Sequence, residues 1–369
     1  MREELDSFRY FCNNGNREYY SGKGDRTMLS FKNDYSEGAL PKIMQAMMET
    51  NFDQTVGYGC DEICAGAREL IKKRIACENA EVHFLVGGTQ ANATCIDAFL
   101  RPHEAVIGVA TAHINVHETG AIEATGHKVL TVAGVDGKVT ADEVRAVVAG
   151  HPDEHMVKPK MVYISNATEI GTIYSKKEVE ELSACCKELG LYFYMDGARL
   201  GSALMAEGND LKIEDLPKLC DAFYIGGTKN GALFGEAVVI VNDALKPDFR
   251  YAIKQNGGML AKGRLLGIQF QELFTDDLFF RAAAHANHCA MKLKKGFEEQ
   301  GIRFFVDSVT NQQFPVFTEA EIAELSKVCL FERNEQISET ECAVRFCTSW
   351  ATKEESIDEI LALVKTIRK

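Results

Sequence analysis

A chain of 369 residues with 46% hydrophobic content has apolar side chains enough for one large and one smaller core, which excludes disorder on a large scale. Its net charge is −13, and Lys and Arg form no long run, so a nucleic-acid or anionic-membrane surface is disfavoured and a small-molecule partner is expected. No apolar stretch nears the roughly 18 residues of a bilayer span, and Met1-Arg-Glu-Glu-Leu-Asp lacks a signal peptide's apolar region, so a cytoplasmic protein is expected.

Residues 1–30 are polar and aperiodic and read as an arm that packs on another surface, such as a second subunit. A turn-rich loop follows, whose cluster from Asn33 to Ser36 either faces a site or simply makes turns, and Pro41 opens a helix. A second, amphipathic helix spans 61–76 with Ile63, Ala67, Leu70, Ile71 and Ile75 on its apolar side. The strand over 82–86 runs into Gly87-Gly-Thr-Gln-Ala-Asn92 and a further helix. Such a turn lets backbone N–H groups approach an anion at a helix start, and Thr89 adds a hydroxyl; a plain helix cap is the alternative.

After a strand over 105–110 comes Thr111-Ala-His-Ile-Asn-Val-His-Glu-Thr-Gly120. His113 and His117 beside Glu118 have no recognised metal-ligand order, so no metal is expected, and His113 is better suited to lie flat on an aromatic cofactor. Three strands then end in chemistry about thirty residues apart, the size of a βαβ unit. The strand over 161–165 leads to Asn166-Ala-Thr-Glu-Ile-Gly171, that over 191–195 to Asp196-Gly-Ala-Arg199, and that over 223–225 to Gly226-Gly-Thr-Lys229. Right-handed crossovers put all three tips on one sheet edge, where open α/β sheets hold ligands. A lysine there suits Schiff-base chemistry, and a buried aspartate there needs a cationic partner such as a protonated pyridine. Taken singly, each has an ordinary reading, as a solvated loop lysine or a helix-capping acid.

From about residue 242 the pattern turns to longer helices and a late α/β segment, so the chain divides into an arm (1–30), a large unit (31–241), whose N-terminal segment is free to contact the small one, and a small C-terminal unit (242–369). Lys262 or Arg264, in a glycine-rich basic loop, reaches an anion or is merely exposed. Strands are expected over 302–306 and 342–347, the latter aiming Arg345 into the cleft to grip a carboxylate. The cysteines lie mostly in apolar contexts and read as reduced thiols.

The four runs Gly87-Gly-Thr-Gln-Ala-Asn92, Ala112-His-Ile-Asn-Val-His-Glu-Thr-Gly120, Asp196-Gly-Ala-Arg199 and Gly226-Gly-Thr-Lys229 together resemble the threonine aldolase and β-eliminating lyase family of pyridoxal-phosphate enzymes. The resemblance covers about residues 30 to 369. It implies an α/β, aspartate-aminotransferase-like fold: a large domain with a mostly parallel mixed sheet flanked by helices, plus a smaller α/β domain, in homodimers or homotetramers with shared sites. It further implies pyridoxal 5′-phosphate joined to Lys229, paired with Asp196, stacked under His113 and supported by Arg199, with Gly88, Thr89, Gln90 and Thr228 completing its surroundings. Ser36, Glu169, Arg199 and Arg345 would meet an amino-acid substrate.

Two departures stand out. Many threonine aldolases have a histidine in a Glu-Asn-Thr-His-Asn-like loop where this chain has Ser165-Asn-Ala-Thr-Glu-Ile-Gly171, leaving Glu169 or His113 to meet the substrate's β-hydroxyl. Leu260 follows Gly257-Gly-Met259 where the family has arginine. The implied reaction is retro-aldol cleavage of a threonine-type amino acid to glycine and an aldehyde; β-elimination on another amino acid and cofactor binding without turnover are the alternatives.

Overall fold

The computed structural model describes residues 28–368, so the arm expected over 1–30 lies almost wholly outside the described residues. Seven strands make the main sheet: β1 (Glu81–Leu85), β2 (Glu104–Val109), β3 (Lys128–Val132), β4 (Lys158–Ser165), β5 (Tyr192–Asp196), β6 (Ala222–Gly226) and β7 (Glu236–Ile240). Their order is β1-β7-β6-β5-β4-β2-β3. Only β7 runs against its neighbours, antiparallel to both β1 and β6. Every residue of β2, β6 and β7 is buried, as parallel-type sheets covered on both faces require.

Local chemistry sets the crossovers between these strands. The helix Lys176–Leu189 starts at a capping box, in which the Ser175 hydroxyl accepts from the Glu178 N–H while the Glu178 carboxylate accepts from the Ser175 N–H. It stops at Gly190, whose φ of +66° is a left-handed cap that favours glycine. The next strand therefore begins at a fixed point and delivers Asp196 to the sheet edge.

A second, antiparallel sheet pairs Val316–Thr318 and Glu332–Gln336 on either side of Glu341–Cys347. The strand expected over 302–306 does not form. Only Phe304 bridges, to Pro315, flanked by bonds from the Phe305 N–H to the Phe314 carbonyl and from the Val316 N–H to the Arg303 carbonyl. Pro315 has no N–H to extend that ladder.

Two buried apolar clusters result. One surrounds the seven-stranded sheet, and the other gathers Phe31, Leu293, Phe297, Phe317, Phe346, Ile357, Ile360 and Val364. Phe346 is the hub of the second, with Phe31, Phe297 and Phe331 rings centred 5.2–5.6 Å from it. The long helix Leu278–Glu298 supplies Phe279 to the first cluster and Phe297 to the second. Residues Leu29–Ser30 pair in parallel with Cys329–Leu330, which seats the segment leading to Phe31 on the second cluster. All eleven described cysteines are free.

Candidate active site

The tips of β4, β5 and β6 meet on one edge because two glycines let the chain pass at close range. A Cβ at Gly197 would stand 1.9 Å from the Tyr224 carbonyl oxygen, and one at Gly226 would stand 2.4 Å from that of Ala198. Between these tips Asp196, 4% exposed, receives four hydrogen bonds. Tyr224 (2.5 Å) and the Ala198 N–H (2.9 Å) donate to Oδ1, and Tyr163 (2.7 Å) and the Asn92 amide (2.9 Å) donate to Oδ2. Burial and the Asp196 charge push both phenols well above their ordinary pKa, so they stay protonated and keep donating.

Lys229 stands three residues past the end of β6 and is half-buried. Burial first, and then the Arg199 guanidinium, pull its amine below the ordinary lysine value, while Asp34, Asp196 and Glu236 act in the opposite direction. The net result favours a neutral, nucleophilic amine. Arg199 is held in turn by Asp34: its Nε and Nη2 donate to the two carboxylate oxygens at 2.7 and 3.1 Å. Asn311 adds a 2.9 Å bond to the same carboxylate. This bidentate clamp orients the guanidinium and leaves Nη1 available.

His113 opens the short helix His113–Val116 just past β2. Its Nδ1 is 2.8 Å from Oε1 of Glu118, an oxygen that also accepts from the Asn92 amide at 2.8 Å. An ionised carboxylate only accepts, so Nδ1 is the donor of this bond and Nε2 is the ring nitrogen left for another partner. The one amide nitrogen of Asn92 therefore links Glu118, and through it His113, to Asp196. Glu169 approaches the same histidine from β4: its Oε1 accepts from the Ser165 hydroxyl (2.7 Å) and the His113 N–H (3.1 Å). Burial raises its carboxyl above the ordinary value, against the pull of the Ser165 bond.

The helix start expected to cradle an anion is also present. The helix Gly88–Phe99 has no side-chain cap at Gly87, so its first N–H groups are left for a ligand. Glycine is required at its first position, since a Cβ on Gly88 would stand 2.9 Å from the Tyr224 hydroxyl. Of the ten buried side-chain polar atoms without a partner among the described residues, four belong to residues of this site or to those expected in it: Oε2 of Glu118, Oε2 of Glu169, Oδ1 of Asn311 and Nε of Arg345. Orphans are costly, and these four fit a site shaped for a polar ligand. A pyridoxal phosphate fits this set: an amine for its aldehyde, an acceptor for its ring nitrogen and a cradle for its phosphate.

Other expected residues are differently engaged. The Gln90 side chain accepts from the Val86 N–H (3.3 Å) and donates to the Asn256 carbonyl (3.1 Å), which leaves only its backbone N–H for a ligand. The Thr228 hydroxyl donates to Glu236 at 2.7 Å. Ser36 is exposed and donates to Asn33, and no hydrogen bond ties it to the other site residues. Arg345 donates to the Lys32 carbonyl at 3.4 Å, and its charge, after burial and His113, helps lower the pKa of His117. Arg264 donates to Thr50. Among the described residues no group of three or more His, Cys, Asp and Glu side chains is placed to hold a metal ion.

Asp34, Asn92, Glu118, Tyr163, Tyr224 and Glu236 were not singled out from sequence as parts of a cofactor site. Tyr163 and Tyr224 each lie two residues before a strand end, and the two-residue side-chain period is the signal that puts them on the face of the tip. Asn92 closes the glycine turn's own motif. Glu236 carries no such signal.

The β-eliminating lyase family model matches residues 31–320. The chain belongs to that family. Enzymes of this family carry pyridoxal 5′-phosphate, in agreement with the residues at the sheet edge. This lyase is 33% identical over 341 residues to a low specificity L-threonine aldolase of a Pseudomonas species, covering 91% of this chain and 97% of that one. It is 36% identical over 265 residues to the low specificity L-threonine aldolase of Pseudomonas aeruginosa, covering 71% and 76%. Among solved structures, a threonine aldolase of Leishmania major superposes with a TM-score of 0.91 at 49% identity, over 92% of this chain and all of that one. A Thermus thermophilus aspartate aminotransferase, with a TM-score of 0.68 at 15% identity and 92% and 91% coverage, shares the fold.

Proposed function

We propose that this lyase cleaves a β-hydroxy-α-amino acid of the threonine or allo-threonine type between Cα and Cβ, giving glycine and an aldehyde. The observation that carries the reading is the lysine amine beside a four-donor carboxylate on neighbouring strand tips, with an uncapped helix start completing the cradle. The likeness to L-threonine aldolases supports the choice of reaction.

When bound, pyridoxal 5′-phosphate supplies an electron-poor ring that takes up the charge left at the substrate's Cα. Gly88, Thr89 and Gln90 would offer backbone N–H groups to the phosphate, Asp196 would accept from the ring nitrogen, and His113 and Arg199 would hold the ring from its face and at its oxygen. Thr228 holds the loop that carries Lys229. Lys229, whose amine burial draws below the ordinary lysine value, would supply the attaching amine. Arg345 would bind the substrate carboxylate and, by fixing the substrate's orientation, select which bond at Cα is cleaved. Glu169 presents its unpartnered Oε2 to the β-hydroxyl, and His113 presents Nε2 to the proton that leaves it. Ser36 closes the substrate side from the loop that carries Asp34.

A second copy of the chain is part of this reading. Met44 and Met48 share one face of the helix Pro41–Glu49, and Phe52, Val56 and Tyr58 follow; all five are exposed, Phe52 by 84%. A run of this kind on a chain whose core is well filled suits a homodimer or homotetramer with sites shared between subunits. A cytoplasmic location fits a chain in which no described helix is long and apolar enough to cross a membrane. The units 31–241 and 242–369 are the proposed cofactor-binding and small domains.

Incubation of the cofactor-loaded protein with L-threonine and L-allo-threonine tests the reaction directly. Equal amounts of glycine and acetaldehyde are expected. Ammonia with a 2-oxo acid, and no aldehyde, would replace the reading by β-elimination.

A further inference from the structure

Among the described residues no hydrogen bond joins the Glu236 side chain to the cradle or to a residue assigned to the substrate, yet it is an acid buried to 4% exposure on the ligand-bearing edge. Its place follows from topology. Because β7 alone runs against its neighbours, its first residue lies where theirs end, and Glu236 is in register with Leu85 on one side and Gly226 on the other. It thus sits between the strand that leads into the phosphate cradle and the strand that leads into Lys229. Its carboxyl grips the intervening loop: Oε1 accepts from the Thr228 hydroxyl at 2.7 Å and Oε2 from the Gly227 N–H at 3.0 Å. The Thr228 hydroxyl accepts in turn from the Gly235 N–H at 3.0 Å, which closes the hairpin over the acid.

Among the described residues, both oxygens are met by neutral donors only. An ionised carboxylate buried without a cation in contact is strongly disfavoured, so this group tends to keep its proton until a compensating charge is near. The compensating charge at hand is the ammonium of Lys229, one residue beyond the gripped loop.

We propose that Glu236 is a positioning residue for Lys229: it fixes the two residues that precede the lysine and, by holding or releasing its own proton, sets the pH at which the lysine amine becomes free to attack. The proposal rests on Lys229 being the amine that attaches the cofactor. Its electrostatics are consistent in direction. Burial raises the Glu236 carboxyl while burial and Arg199 lower the Lys229 amine, so the two titrate toward one another. Asp34 and Asp196 also bear on the lysine, Asp196 bears on Glu236, and the Tyr224 phenol feels both acids. When Glu236 gives up its proton, its charge holds the one on Lys229. Loss of protons from the pair is therefore spread over two steps.

The test uses cofactor-free protein, so its result does not depend on which reaction the enzyme catalyses. Lys229 is acetylated competitively across a pH series, and its labelling is read by peptide mapping in the wild type and in Glu236→Gln. The wild type should show a broad, two-step profile. The Gln variant should show a single step at lower pH, with several-fold faster labelling on the mildly alkaline side, and Glu236→Asp should restore the broad profile. Superimposable wild-type and Gln profiles would overturn the proposal. If the Gln variant does not fold, the wild-type profile decides alone: a curve fitted by one proton contradicts it, and a two-step curve supports it.

Discussion

Asp34 and Arg199 form the buried pair on which the site's charge balance turns. Burial alone would raise the Asp34 carboxyl, but Arg199 and Lys229, with hydrogen bonds from Arg199 and Asn311, hold it below the ordinary carboxylate value. A depressed folded-state pKa means that the stabilisation is complete above the unfolded value of 3.8 and is lost as pH falls through the folded one. Asp34→Asn should therefore cost about 3–5 kcal/mol at neutral pH, by leaving the Arg199 charge buried and unpaired, and the gap to wild type should close in acid. Urea unfolding of cofactor-free protein at neutral and strongly acidic pH reads both effects. Arg345→Leu removes a charge-assisted bond to the substrate carboxylate worth about 2–3 kcal/mol, a fall of roughly 30- to 150-fold in kcat/KM. Cofactor affinity, measured by fluorescence titration, should stay unchanged. Lys229, Asp196 and His113 were legible because each follows a strand end within a short motif. Asp34 was not, because its partner lies 165 residues away and only the fold joins them.

At the scale of elements, the crossovers were readable and the hairpin was not. The helix over 176–189 declares itself through Ser175, Glu178 and Gly190, whose chemistry is local. The thirty-residue repeat of strand and helix, however, directs attention away from β7, which returns from β6 through only the nine residues 227–235 and places Glu236 at the site. The strand expected over 302–306 failed for the complementary reason, since its apolar pattern is sound but its neighbour across the gap is Pro315. The helix start at Gly88 gives a direct check on how elements set the site. Gly88→Ala would press on the Tyr224 hydroxyl, shift a donor of Asp196 and crowd the phosphate cradle together. Overpacking of this kind costs about 1–3 kcal/mol, so cofactor affinity should fall roughly ten- to a hundredfold while far-ultraviolet circular dichroism stays the same. Unchanged affinity would mean that the cradle lies elsewhere.

For the whole molecule, composition and charge already pointed to a two-core protein with a small-molecule partner, and the repeat of strand and helix to an α/β fold. A contact of the N-terminal segment with the small unit was open from sequence, but the pairing that makes it was not visible, because a two-residue strand and one phenylalanine carry too little pattern. If the exposed Met44, Met48, Phe52, Val56 and Tyr58 bury against a second copy, Phe52→Glu should shift the sedimentation coefficient toward that of the monomer and lower activity with it. A wild-type protein that sediments as a monomer at full activity would remove the second copy from the mechanism. The central claim, that Lys229 is the amine on which pyridoxal phosphate chemistry is built here, is tested most directly by borohydride reduction of the cofactor-loaded protein followed by peptide mapping. A pyridoxyl group on the peptide that contains Lys229 is the predicted result; a pyridoxyl group on another lysine, or none on any, would contradict it.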